Sequence, residues 1–350
     1  MTIRTLSTAG FNQAMMNNVG TLTSELQRVQ TQISTGLKTR QYGDLGSSAV
    51  LDINLRNQTA GIDAFQRTIT VVQGRLDIVD KNLLSMRTDG LQVRDLIIAQ
   101  GNHDAGREAI VAAAKNALTN IVSKLNTNVN GRFVFGGVET QSAPMVSADA
   151  LLATASGAVN AALSAAPPGV PAAIQGAVDD VFNGVNPPAT PADANWYAGG
   201  AAHPSTEIDH GLPLDYSITG NDPAFAKMLN ALATIASLPT PADGPAAAPP
   251  ATIDRADFDA AMQAAFNTLN GGLGGLDMLV SKNGNNQSLL DSTEQMHEAT
   301  QTIVKSQIGD IENVDLTEAS TRLSQLQTQL QATFQTIAML RSLSLVNYLK

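Results

Sequence analysis

The chain has 350 residues, a formal net charge of −10, 43% hydrophobic residues, 4% aromatics and no cysteine. Disulfides, thiol nucleophiles and cysteine-bound metals are excluded, and this many apolar residues with so few aromatics favours long helices over sheet domains. No run reaches the ~18 apolar residues of a membrane span and no apolar leader core opens the chain, so neither a spanning helix nor a cleaved signal is expected.

From Met1 to Arg40 a thin apolar seam recurs. Val19, Leu26 and Ile33 lie seven apart, with Met15, Leu22 and Val29 offset between them. Gly10 and Gly20 weaken its start, and a helix of this strength is marginal alone in water. It is expected to order against a partner. The glycines between Gly36 and Ser48 mark a loop, and Ser47 or Ser48 is placed to cap the helix that follows.

That helix is the strongest signal in the chain. From Leu51 to Ala99, Ile62, Ile69, Leu76, Leu83 and Ile97 fall on one heptad position, and Phe65, Val72, Val79, Met86 and Val93 on the other. Only Gly90 interrupts them, and Leu51 and Leu55 extend the register backwards. Alternating spacings of three and four give one apolar stripe that partner helices must cover, on a rod of ~70 Å.

Gly101-Asn102-His103-Asp104 is a turn whose Asp104 is placed to cap a helix with the stripe Val111, Ala114, Leu118, Ile121 and Leu125. Asn130-Gly131 is expected to end it, and Arg132-Phe133-Val134-Phe135 to form a short strand stopped by Gly136-Gly137. From about Gln141, alanine, proline and glycine take over, as expected of an inserted domain with loose connections. Its ordered parts are expected around Trp196-Tyr197, in a strand near Leu214–Ile218, and in a helix carrying Phe225, Met228, Leu229, Leu232 and Ile235. Between Gln141 and Asp254 ten acids face one base, Lys227, while the rest of the chain is nearly balanced. Such a block argues against nucleic acid and anionic membrane as partners.

The rod pattern resumes with Phe258, Met262, Phe266 and Leu269, and Gly271-Gly272-Leu273-Gly274-Gly275 reads as a break or kink. A helix from about Asn286 carries Leu289, Met296 and Ile303. The closing segment is a second clear heptad, with Leu316, Leu323, Leu330 and Ile337 on one position and Ala319, Leu326 and Leu340 on the other. Asp315 is placed to cap it, with Glu318 three residues on.

The expected fold is mainly α. The N- and C-terminal segments form a long antiparallel helical rod or coiled-coil bundle, with a small hairpin and an inserted outer domain that is α+β or mostly β. The expected domains are 1–40 with 312–350, a terminal coiled coil; 41–140 with 255–311, the helical rod; and 141–254, the insert. The assembly seam would be Val19, Leu22, Leu26, Val29, Ile33, Leu316, Leu323, Leu326, Leu330, Ile337 and Leu340. The rod core would be the ten heptad residues from Ile62 to Ile97.

Catalytic chemistry is not legible. His203, Glu207, Asp209 and His210 could supply zinc ligands, but no element is evident to converge them and a solvated loop is the preferred reading. His103 and His297 stand alone, and Gly271–Gly275 lacks both the spacing and the preceding strand of a phosphate loop. The expectation is no enzyme, no metal and no cofactor.

Gln32-Ile33-Ser34-Thr35-Gly36-Leu37-Lys38, with Gly43-Asp44 and the long helix behind it, resembles the N-terminal signature of the bacterial flagellin family. Asn130-Gly131-Arg132-Phe133-Val134-Phe135-Gly136-Gly137 with Pro144, then Asn285-Asn286-Gln287, Ile311 to Leu316 and Leu345 to Leu349, are similar to further parts of that family. The likeness is strongest to its hook-associated branch, and it covers about 1–140 and 255–350. It implies a structural subunit exported unfolded through the flagellar channel, joining hook to filament on the extracellular flagellum. The implied partners are the first hook-associated protein, flagellin, further copies of the chain, an export chaperone and the export apparatus. A filament subunit is the alternative. Ile3-Arg4-Thr5-Leu6 and the ending Asn347-Tyr348-Leu349-Lys350 depart from the filament pattern and favour the junction. A surface-binding role for the insert is a further, weaker alternative.

Overall fold

The structure, a computed structural model, describes residues 8–100, 104–165, 170–183, 196–200, 202–239 and 253–348, without the side chains of 8, 9, 11, 12, 104, 105, 183 and 340–348. The Gly101-Asn102-His103 turn, most of the insert's prolines and the side chains of Asp104 and Leu340 therefore lie outside it. The chain divides into two compact units, Met1–Asp63 with His297–Lys350, and Ala64–Met296. Packing thus divides it at 63/64 and 296/297, whereas the expected boundaries follow composition and helix ends.

The elements in order are α1 (Thr8–Thr35), a one-turn 3₁₀ helix (Tyr42–Leu45), α2 (Ser48–Gln100), α3 (Asp104–Leu125), β1 (Asn128–Val129), β2 (Arg132–Phe133), α4 (Ala148–Ser164), α5 (Val170–Asn183), β3 (Ser205–Asp209), β4 (Leu212–Asp215), α6 (Pro223–Ser237), α7 (Arg255–Glu312) and α8 (Leu316–Tyr348). The fold is mainly helical, and among the described residues each of the two sheets is a two-stranded hairpin.

Of the α2 heptad, Ile62, Ile69, Val72, Leu76, Val79, Leu83, Met86 and Val93 are buried, and Phe65 and Ile97 half-buried. The backward extension fails at Leu51, which is exposed, because Asp52 takes the inward position beside Leu55. On α7 the expected stripe of Leu289, Met296 and Ile303 is also exposed. Its buried face carries Asn283, Leu290, Thr293, His297 and Val304, and that polar content hides the face from a hydrophobicity count.

In the unit Ala64–Met296, one continuous core joins α2, α3, α4, α5, α6 and α7. α6 is its centre. Asp222 caps the helix by accepting from Ala224 N at 2.9 Å, and Phe225, Met228, Leu229, Leu232 and Ile235 are all buried. The insert is therefore α+β and packed into the rod helices. α4 and α5 were not legible because alanine-rich stretches beside prolines lack contrast, although Ser147 caps α4 and Leu151, Ala155 and Val159 are spaced to face inward.

Two expectations are corrected by local geometry. Gly271–Gly275 does not break the helix, since α7 runs unbroken for 58 residues. A Cβ at Gly272 would meet Met228 Cγ at 2.6 Å, and one at Gly275 would meet Ala224 Cβ at 2.8 Å. These glycines let α6 lie close against α7, and Gly90 on α2 is equally tight against Met228 and Leu273. Asn130-Gly131 does not end α3, which stops at Leu125. With φ of 52° and 80° the pair makes the two-residue turn of the β1–β2 hairpin, whose backbone needs positive φ at both positions.

Candidate assembly surface

The unit Met1–Asp63 with His297–Lys350 is a thin construction. α1 and α8 pack antiparallel, shown by the bridge Leu37–Asn313 at one end and the Glu25–Arg322 ion pair at 3.5 Å further along. Among the described side chains Val29, Ala319 and Leu326 are buried between them, with Leu22, Leu26, Ile33, Val314 and Leu323 partly covered. Val19, Leu330 and Ile337 are half-buried, and Leu316 is 54% exposed. A pair of helices can cover only one line of a stripe, so the other apolar residues stay in water.

Further apolar side chains stand outward in the same unit. Phe334 on α8, Met16 on α1, Val50, Leu51 and Ile53 on the first turns of α2, and Tyr42 before them are all exposed. The sequence reading missed Phe334, Tyr42, Val50 and Ile53, although Phe334 is visible there as an aromatic off the heptad.

The Gln32–Lys38 signature has a structural basis. Gly36 takes φ 74° after α1, and its N–H bonds back to Gln32 O at 2.8 Å, the left-handed helix ending that glycine suits. The chain then runs beside the end of α7, with Lys38 N donating to Glu312 O at 2.7 Å and Val314 N to Gly36 O at 2.8 Å. Lys38 Nζ donates to the carbonyls of Asp310 and Ile311 at 2.7 and 3.0 Å. A cation there satisfies free helix-end carbonyls and the negative end of the helix dipole. Gln32 Nε2 donates to Lys38 O at 2.6 Å.

Behind this loop Arg56 on α2 bonds Glu312 at 2.5 Å through Nη2 and Asp52 at 3.2 Å through Nε. Asp52 is fully buried. That burial, and then the Glu312 charge, push its carboxyl above the ordinary range, while the Glu312 hydrogen bond holds Arg56 more firmly protonated. Asp315 caps α8 by accepting from Thr317 N and Glu318 N at 2.7 and 3.2 Å. Those two bonds, Glu318's first, draw its carboxyl below the usual value.

The histidines do not converge. His203 Nδ1 lies 3.0 Å from Ser217 Oγ, and His210 meets Phe65 edge-on at 5.2 Å between ring centres. Glu207 and Asp209 instead accept backbone N–H groups at the β3–β4 turn, from Gly211 and His210. Among the described residues no three His, Asp or Glu side chains stand close enough to hold a metal ion. His297 is buried and engaged on α7, and His103 lies outside the described residues. Among the described residues no helix is long and apolar enough to cross a membrane.

The profile of the bacterial flagellin N-terminal helical region matches residues 6–140, and that of the bacterial flagellin C-terminal helical region matches residues 268–349. No individually curated protein matches the chain. Among solved structures, one from Vibrio parahaemolyticus described as a flagellar hook-associated protein is similar in fold, with TM-score 0.54 and 17% identity over 76% of this chain and 97% of that one. Bacillus cereus FlgL aligns with TM-score 0.41 and 14% identity, over 75% of this chain and 99% of that one.

Proposed function

The chain belongs to the bacterial flagellin family, and on that premise we propose that it is a structural subunit of the flagellum that joins hook to filament. The observation that carries the reading is the half-covered seam. Val29, Ala319 and Leu326 are buried, while Leu316, Phe334 and Met16 face water. Such a surface is unfavourable in a free chain and becomes favourable once neighbours cover it, since each large apolar side chain moved out of water contributes ~1.5–3 kcal/mol. The resemblance of the fold to a hook-associated protein supports a junction over a filament subunit.

In this reading residues 1–40 with 312–350 line the inner tube, 41–140 with 255–311 form the wall, and 141–254 face outward. The seam is Val19, Leu22, Leu26, Val29, Ile33, Leu316, Leu323, Leu326, Leu330, Ile337 and Leu340. The neighbours are the first hook-associated protein on one side and flagellin on the other. The chain reaches its place through the flagellar export route with a dedicated chaperone, and no catalysis is assigned to it. Deletion of the gene followed by electron microscopy tests the assignment. Hooks without filaments, with filament protein lost to the medium, are expected. Intact hook and junction with the filament alone missing would assign the chain to the filament instead.

A further inference from the structure

We propose that Asp52 carries a proton beside the Arg56–Glu312 pair, making an acid-favoured clasp between the first turns of α2 and the end of α7. The geometry sets the charge count. Asp52 has no solvent exposure; its Oδ2 takes Arg56 Nε at 3.2 Å, and its Oδ1 is buried without any hydrogen-bond partner. Arg56 also gives Nη2 and Nε to Glu312 Oε1, at 2.5 and 3.2 Å. Two carboxylates thus divide one guanidinium, and the more exposed of the two holds the better share.

A carboxylate kept from water with an unsatisfied oxygen neutralises rather than remain charged. Protonated, Asp52 leaves the Arg56 charge to Glu312, which already holds its shortest bond, and the three groups become neutral overall. The Lys38 ammonium is held by the carbonyls of Asp310 and Ile311. From the 3₁₀ turn, Asp44 accepts from Thr39 Oγ1.

The sign follows from burial and the Glu312 charge, which both raise Asp52 in the folded chain. A raised carboxyl contributes stability that is complete below its unfolded value and lost as pH climbs through its folded value. The clasp lies beside the bonds from Lys38 N to Glu312 O and from Val314 N to Gly36 O. Their protection therefore reports whether it is closed. This device is independent of what the chain assembles with.

The test uses the full chain. Carbon-13 NMR of the Asp52 carboxyl is expected to show titration above the ~3.9 of a free aspartate. Amide exchange at Lys38 and Val314, corrected for intrinsic rates, is expected to accelerate several-fold as pH rises through that value. Asp52→Asn, which keeps the neutral shape, should hold the protection of the low-pH protein and lose the pH slope. Titration of Asp52 at or below ~3.9 would overturn the proposal, as would an Asp52→Asn chain that keeps the wild-type slope or loses protection at every pH. The NMR titration decides the matter even if the variant fails to fold.

Discussion

Replacing Gly272 and Gly275 together by alanine places two methyl groups against α6. The atoms they meet include Met228 N at 2.9 Å and Ala224 Cα at 3.2 Å, besides the side-chain atoms nearer still. Backbone cannot rotate away as a side chain can, so the helix itself must shift, at ~1–3 kcal/mol for each overpacked site. Each substitution also gains ~0.5–1 kcal/mol because alanine loses less entropy in a helix. The net is a loss of up to about 5 kcal/mol for the pair. Gly271 and Gly274 lie on the same run but face away. A Cβ at Gly271 finds only Lys227 Cδ at 3.8 Å, and one at Gly274 finds nothing within 4 Å. Alanine at those two sites should therefore stabilise by about 1–2 kcal/mol. The single tryptophan, Trp196, bonds Phe182 O within the same unit, so its fluorescence during thermal or urea unfolding reads that unit. The outward pair should raise the midpoint by roughly 2–8 °C and the inward pair should lower it, at ~2–4 °C per kcal/mol for a unit of this size. Shifts of the same sign for both pairs would refute the close-packing account of this glycine run.

Three other perturbations bear on the termini. Phe334→Asp, at an exposed position of α8, should leave monomer stability within ~0.5 kcal/mol yet block self-association, as sedimentation would record. Leu330→Pro removes a helix hydrogen bond and kinks α8 at ~3 kcal/mol or more; assembly at wild-type levels would contradict the role given to α8. Asp315→Ala should speed amide exchange at Thr317 and Glu318 near neutral pH. Because the Asp315 carboxyl is lowered by those bonds, its contribution is present above the ordinary aspartate range and fades as pH falls through the lowered value. The difference between variant and wild type should vanish there.

Helix identity was legible from spacing alone where an apolar stripe stands out against polar neighbours. The α2 stripe from Ile62 to Val93, the α6 residues from Phe225 to Ile235 and the Asp315 cap all follow from periodicity and local hydrogen bonding, which short-range sequence encodes. Polar inward faces were not legible. Asp52 takes the place that spacing assigned to Leu51, and Asn283, Thr293 and His297 occupy the inner face of α7 while Leu289, Met296 and Ile303 look outward. A hydrophobicity count cannot anticipate a buried polar residue, because its position depends on partners far away in the chain: Arg56 and Glu312 for Asp52, and the Leu76 carbonyl for Asn283.

The sequence by itself determined a long-helix protein without cysteine chemistry, with an acidic middle and two thin apolar seams at its ends. Tertiary packing alone decided that Gly272 and Gly275 continue a helix, that Asn130-Gly131 turns a hairpin, and that 141–254 shares its core with the rod helices. A glycine weakens an isolated helix but admits a close neighbour in a packed one. Which effect prevails is set by whether another helix arrives, and at Gly272 and Gly275 α6 does.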